Sequence, residues 1–423
     1  MSDISAGICC NDFGLANEFV VSTLHRVNLW TRMASGKKNS HSKGAVMEIK
    51  SMKLADVGHF GDMDIQFAPT PTHRSNITVL VGNNGSGKTT ILKSLNICLS
   101  WLIAKIRSNK GNGKYLVDED IRNGASGAVL SIGITDVSHP RAAESGAGSE
   151  NELFVWGAAR SRQEGAVSGR GYLNEVRLLA DHYRTQLTAD DSASLPLIAY
   201  YPAERCIVEV PLKISGKQAF DQLDGYDTSF HGGADFGSFF EWFREREDSE
   251  NEDGISDTAL AEMAEKFGTD SDVWKTLANV KASTRDRQLT AVRSALTAFM
   301  PDFTNLRVQR KPHLHMAIDK HGATLSVTQL SLGEKSMIAW VGDMARRLAM
   351  MNPSMDNPLH GDGIVLIDEV ELRMDRQWQL GLIAQLSATF PNCQFVLTTH
   401  SPLVIGDTKG VLVYLLDEGD SRG

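Results

Sequence analysis

Gly82-Asn83-Asn84-Gly85-Ser86-Gly87-Lys88-Thr89 is the stretch on which the fold turns. It fits the phosphate-binding loop pattern at four fixed positions, a coincidence expected in roughly one or two chains of this length per hundred. The flanks sharpen it. Ile77-Thr78-Val79-Leu80-Val81 reads as a buried strand, and Thr89 to Ile106 as a helix in which Leu92, Leu95, Leu99 and Leu102 recur at three or four. Glycines there let backbone N–H groups close around phosphate oxygens, and the helix N-terminus adds a positive field. The run Gly82 to Thr90 is therefore the candidate ATP-binding segment. Lys88 is expected to reach the β- and γ-phosphates, and the Thr89 hydroxyl to ligate Mg2+.

Working outward, Gly363-Ile364-Val365-Leu366-Ile367-Asp368-Glu369 is an apolar strand ending in two carboxylates, as expected of a strand buried in a parallel sheet. Asp368 is the expected Mg2+ holder. Glu369 is the expected general base, because hydrolysis needs an acceptor in line with the γ-phosphate. His400 follows a further strand, Phe395-Val396-Leu397-Thr398-Thr399, and is a candidate sensor of that phosphate. Between these pieces lies Leu330-Ser331-Leu332-Gly333-Glu334-Lys335-Ser336, opening a helix whose apolar face is Met337, Ile338, Val341, Met344 and Leu348. By itself that segment reads equally as a plain helix cap.

The chain of 423 residues carries a net charge of −9, which argues against a broadly basic nucleic-acid-coating protein. Its 42% hydrophobic and 22% charged residues are ordinary globular values. No apolar run approaches the roughly 18 residues of a membrane span, and no secretory start is evident. Five cysteines, Cys9, Cys10, Cys98, Cys206 and Cys393, show no C-x-x-C spacing. The odd count argues against a disulfide framework and fits a reducing cytoplasm.

The expected organisation has four parts. Residues 1–46 are an N-terminal arm or an upstream extension, since Met47 also reads as a natural start. Residues 47–204 form a lobe with the phosphate loop, and 205–325 an inserted, mainly helical section. Residues 326–423 carry the Ser331 segment, the acidic strand and His400. Strands are expected at Met47–Leu54, Asp64–Phe67, Ala128–Ile134, Leu197–Tyr201, Leu306–Gln309 and Leu314–Ile318, and helices at Tyr172–Leu187 and from Val273 to about Met300. The acidic run Glu245 to Asp253 reads as a solvated helix end, or more sharply as a dock for a basic partner. Arg160, Arg162, Arg170 and Arg177 either decorate a surface or face phosphates.

Taken together, the motifs resemble the ABC-type ATPase heads of the RecF, Rad50 and SMC branch. That resemblance implies an α/β P-loop NTPase of ABC-ATPase head type, two-lobed, with an inserted α-helical middle section. It implies ATP and Mg2+ as cofactors, and Ser331, Gly333 and Glu334 as a signature motif acting in trans on nucleotide bound to a second copy. Leu332 and Glu334 depart from the transporter form of that motif. More narrowly, Gly363 to Gln379, Phe390 to Pro402 and Phe236 to Glu252 look like PtuA-type ATPases of Septu anti-phage defence, including versions attached to retrons. Relatives carry two histidines and a proline where this chain has Arg373, Asp375 and Arg376. The glutamine that couples lobe motion to Mg2+ has no clear counterpart, Tyr201-Pro202-Ala203-Glu204-Arg205 occupying its region. Both departures imply slow hydrolysis.

The resemblance further implies a homodimer or higher oligomer and a separate HNH nuclease partner of the PtuB kind, no nuclease domain being evident in this sequence. A retron reverse transcriptase with its multicopy DNA, and nucleic acid more generally, are further partners it brings into view; a membrane is not. The alternative is a RecF/SMC-like DNA-repair ATPase acting directly on DNA. A transporter energy subunit is the remotest reading.

Overall fold

A computed structural model describes residues 47–139, 153–162, 172–203, 220–227, 234, 236–253, 257–406 and 409–416. The readings made above for residues 1–46, Arg170, Glu204, Arg205, Cys9, Cys10 and Cys206 fall outside these residues. The chain opens with strands β1 (Met47–Val57), β2 (Phe60–Gln66) and β3 (Ile77–Gly82), then helix α1 (Lys88–Arg107). Strands β4 (Gly127–Asp136) and β5 (Leu153–Ser161), helix α2 (Asn174–Ala189) and strand β6 (Leu197–Tyr201) complete the first half. Helices α3 (Phe236–Asp253), α4 (Asp257–Phe267), α5 (Asp272–Ser283) and α6 (Arg287–Phe299) come next, followed by strands β7 (Phe303–Gln309), β8 (His315–Lys320) and β9 (Ala323–Ser326). Helix α7 (Leu332–Met351), strand β10 (Gly363–Ile367), helix α8 (Arg376–Thr389), strand β11 (Cys393–Thr399), the short helix α9 (Pro402–Ile405) and strand β12 (Leu412–Leu416) end the described chain.

These strands make three sheets. One is antiparallel, in the order β2-β1-β4-β5; one has five strands in the order β12-β3-β11-β10-β6; one is small, β7-β8-β9. Every pairing in the five-stranded sheet is parallel. All residues of β6, β10 and β11 are buried, which is why their sequences are near-continuous runs of apolar residues rather than alternating ones. Gln394 is fully buried and stitches two of the sheets together. Its Nε2 donates to Ile49 O (2.8 Å) and Ala68 O (2.7 Å), and its Oε1 accepts from Ile49 N at 2.7 Å. Helix α1 is long and apolar enough to cross a membrane by length and composition, yet 78% of its 18-residue apolar stretch is buried inside the protein.

Several elements differ from the sequence reading. The helix expected from Val273 to Met300 is two helices, α5 and α6, because Asp286 caps a new start by accepting from Leu289 N at 2.9 Å. Strands β5, β9 and β12, and helices α4, α8 and α9, were not anticipated. The acidic run in α3 needs correction as well. Glu247 is 5% exposed and accepts from Val308 N (2.8 Å) and Arg293 Nη2 (3.1 Å), and Glu250 takes Arg293 Nη1 at 3.0 Å. Part of that run is thus the inner face of an ion-pair cluster rather than a solvated end. Arg160 bonds Asp118 (2.8 Å), and Arg162 donates to Ile121 O at 3.0 Å, so both tie down a loop of their own chain.

Candidate nucleotide site

The phosphate loop, the acidic strand and His400 all lie at the carboxyl ends of parallel strands. In register, Val81 stands opposite Thr399, and Ile367 opposite Leu397, which puts Gly82, Asp368 and His400 on one edge of the sheet. Such edges are where open α/β sheets take ligands. Gly87 closes the loop in a left-handed conformation, φ +88°. A Cβ there would sit 2.3 Å from both His59 and Phe60, so only glycine fits. No side chain caps α1 at this end, leaving its first N–H groups for an anion.

Lys88 Nζ donates to Gly82 O (2.8 Å) and Asn83 O (2.7 Å), curling the side chain over the loop. Burial pushes the Lys88 ammonium down, against the upward pull of the Asp368, Glu369 and Glu371 carboxylates. Thr89 Oγ1 donates to Asp368 Oδ2 at 2.8 Å across 279 residues of sequence. The other Asp368 oxygen accepts from Thr398 Oγ1 at 2.5 Å, and Asp368 N donates to Tyr201 O at 2.8 Å. Thr398 Oγ1 in turn accepts from Glu369 N at 2.7 Å. One threonine therefore orients both acidic residues. Asp368 is 2% exposed.

Glu369 occupies a left-handed conformation, φ +46°, which is uncommon outside glycine and is found where a site dictates the backbone. Its carboxylate reaches His400 Nε2 at 3.7 Å, an ion pair only when the imidazole is protonated. The His400 backbone N–H donates to Glu371 at 2.7 Å. Mg2+ takes oxygen donors and is held in phosphate sites by few protein groups. The Thr89 hydroxyl and the Asp368 carboxylate fit that requirement, and the loop amides fit the phosphates.

The structure thus brings together Lys88, Thr89, Asp368, Glu369 and His400. Ser331, Gly333 and Glu334 form a separate cluster at the start of α7. Ser331 is the N-cap; its backbone N–H donates to Glu334 Oε2 (2.8 Å) and its Oγ accepts from Glu334 N (3.3 Å), a reciprocal capping box. Gly333 packs on the segment after the acidic strand, where a Cβ would lie 2.3 Å from Arg373 O. Arg373 itself has φ +67°, and Asp375 caps α8 by accepting from Trp378 N at 3.0 Å. Ser331 and its helix start are exposed, a second surface able to take an anion.

Sequence reasoning missed Thr398, although it stands two residues before His400 on the strand that was read. It also missed the buried cluster behind the site. Asp343 in α7 accepts from Arg346 (2.8 Å), Arg347 Nε (2.6 Å) and Tyr201 OH (3.0 Å). Arg347 also donates to Gly225 O (2.6 Å) and Asp227 O (2.7 Å). Burial alone would raise the Asp343 pKa; Arg347 and Arg346 together hold it below the usual carboxylate range. Tyr201 thus touches Asp343 by its hydroxyl and Asp368 by its carbonyl.

An α/β fold that sets a phosphate loop and an acidic strand at the carboxyl ends of one parallel sheet defines a P-loop ATPase. A family model described as an AAA domain matches residues 51–302, and a second AAA-domain model, whose description refers to the AbiEii toxin of type IV toxin–antitoxin systems, matches residues 214–406. The Retron Vc95 probable ATPase of Vibrio cholerae serotype O1 biovar El Tor is 29% identical over 444 residues, spanning 99% of this chain and 82% of that protein. The Retron Ec83 probable ATPase of Escherichia coli is 31% identical over 89% of this chain and 73% of that protein. The Septu protein PtuA of Bacillus mycoides (strain KBAB4) is 33% identical over 89 residues, 21% of this chain and 12% of that protein. A solved SMC head, bound to the C-winged helix domain of ScpA, has 16% identity and a TM-score of 0.46, covering 86% of this chain and 96% of that one. The chain belongs to the family of PtuA-like ATPases of retron and Septu defence systems.

Proposed function

We propose that this ATPase binds Mg-ATP between two copies of itself and that the pairing governs a separate nuclease effector in the cytoplasm. The observation that carries the reading is the Thr89–Asp368–Thr398 hydrogen-bond chain beside Lys88, set against an exposed Ser331 cluster at the start of another helix. In this reading the loop amides and Lys88 hold the phosphates of one ATP. The Ser331 hydroxyl and the α7 amides of the second copy hold its γ-phosphate from the other side.

Thr89 and Asp368 would hold Mg2+, whose contribution is to neutralise charge on the phosphate oxygens. Glu369 accepts a proton from the attacking water, and His400, whose Nε2 lies 3.7 Å from that carboxylate, senses the γ-phosphate. Because Asp368 and Glu369 share Thr398, the metal holder and the base are fixed relative to one another. Nuclease control by the paired state draws on the kinship with retron and Septu ATPases.

The test is purification from the natural operon, with and without Mg-ATP. Copurification of a second polypeptide with an ATP-dependent dimer is the expected result. A lone chain that dimerises with ATP and binds DNA directly would move the protein to the repair ATPases. In parallel, Lys88→Ala is expected to remove ATP binding in a filter or calorimetric assay; unchanged affinity would displace the nucleotide from this loop.

A further inference from the structure

The first turn of α7 contains an electrostatic conflict. A helix N-terminus favours anions, yet Glu334 puts a carboxylate into that turn. A phosphate arriving at Ser331 would meet this charge three residues along the chain. The carboxylate is nonetheless spoken for on both oxygens: Oε2 accepts from Ser331 N at 2.8 Å, and Oε1 from Lys320 Nζ at 2.5 Å. The Glu334 side chain is 13% exposed and that of Lys320 28%.

Lys320 is held in place by more than this pair. It ends β8, lies opposite Phe303 of β7 and Ala323 of β9, and its ammonium stands 5.0 Å from the Phe303 ring centre. His321 and Gly322 follow with φ of +50° and +81°, a tight turn that fixes where the strand stops. Burial would raise the Glu334 pKa, but the bonds from Lys320 and Ser331 hold it below its ordinary value, so Glu334 is a carboxylate at neutral pH.

We propose that Lys320 is the counter-ion that lets an acidic signature turn receive a phosphate. It cancels the charge of Glu334 and pins that carboxylate against the Ser331 backbone, so Ser331 Oγ and the free α7 amides can face the incoming anion. A glutamine at position 334 would keep the capping box and need no counter-ion. The inference deepens the ATP-sandwich reading and rests on it. It makes Lys320 a positioning residue, carried by the inserted section, for a clamp formed elsewhere in the chain. A partner that displaced β8 would unmask Glu334 and loosen the dimer.

The test compares dimer dissociation constants by sedimentation in Mg-ATP, all in a Glu369→Gln background. Lys320→Met is expected to weaken the dimer by roughly 10- to 100-fold, the size of one uncompensated charge at each of two interfaces. Nucleotide affinity of the monomer stays as in the parent. Adding Glu334→Gln to Lys320→Met restores most of the loss, and Lys320→Arg loses little. A double variant as weak as Lys320→Met overturns the charge argument, because a merely structural lysine would not be rescued by neutralising its partner. Lys320→Met dimers as tight as the parent overturn it too. A parent that stays monomeric in Mg-ATP removes the sandwich itself, a failure distinguishable from that of the counter-ion.

Discussion

At the edge of the parallel sheet, Thr89 and Asp368 meet across 279 residues, and Asp368 meets Thr398 across 30. In the inserted section no such span of several hundred residues is needed: Arg293 meets Glu247 across 46 residues and Arg307 meets Asp319 across 12. The first region exists only when the whole sheet has formed. The second can be assembled from consecutive elements, so it can change without unmaking the first. That difference predicts a separation of effects, with damage at the sheet edge stopping turnover and damage in the insertion acting on stability or on the clamp.

The largest expected effect is at the edge. Glu369→Gln should slow phosphate release by about 100- to 10,000-fold, the usual weight of a positioned general base, while ATP still binds; a variant that hydrolyses normally removes Glu369 as the base. Next comes the buried cluster behind the site. Asp343→Asn leaves Arg347 and Arg346 without their counter-charge, and urea unfolding should show a loss of about 3–5 kcal/mol.

The same carboxylate has a pH signature. Its pKa is depressed in the folded state, so its stabilisation is complete above the unfolded value of about 4 and is lost as pH falls through the folded value. Asp343→Asn should therefore flatten part of the acid limb of unfolding. An unchanged acid limb would show that the pair contributes nothing there.

In the insertion, Glu247→Gln should cost about 1–3 kcal/mol by leaving Arg293 and Val308 N–H under-paired. It should leave ATP affinity alone. A collapse of nucleotide binding in that variant would break the separation of the two regions. The smallest effect belongs to Ser331→Ala, about 1 kcal/mol of folding stability for a lost N-cap, read by thermal melting. Dimerisation should suffer far more than the melt.

What could be read beforehand follows from how local each feature is. Gly82 to Thr89 is legible because backbone geometry and chemistry coincide in eight consecutive residues. Asp368 and Glu369 are legible because a buried parallel strand leaves its charges only at the end. Gln394 sat in a stretch read merely as family text, since its bonding partners Ile49 and Ala68 lie 345 and 326 residues away. Asp343 and Arg347 fell one turn apart inside an amphipathic helix, where charges ordinarily face water. Strand β9 has four residues, too few for alternation to show. Lys320 carries no motif; only its distance to Glu334 distinguishes it.

The decisive question is whether nucleotide joins two copies through Ser331. The direct measurement is native mass spectrometry of the Glu369→Gln protein with and without Mg-ATP, beside the same protein carrying Ser331→Arg. The expected result is a nucleotide-bound dimer that appears only with Mg-ATP and is lost in the Ser331→Arg chain, which still binds ATP as a monomer. A nucleotide-bound monomer, or a dimer indifferent to both ATP and Ser331, would contradict it.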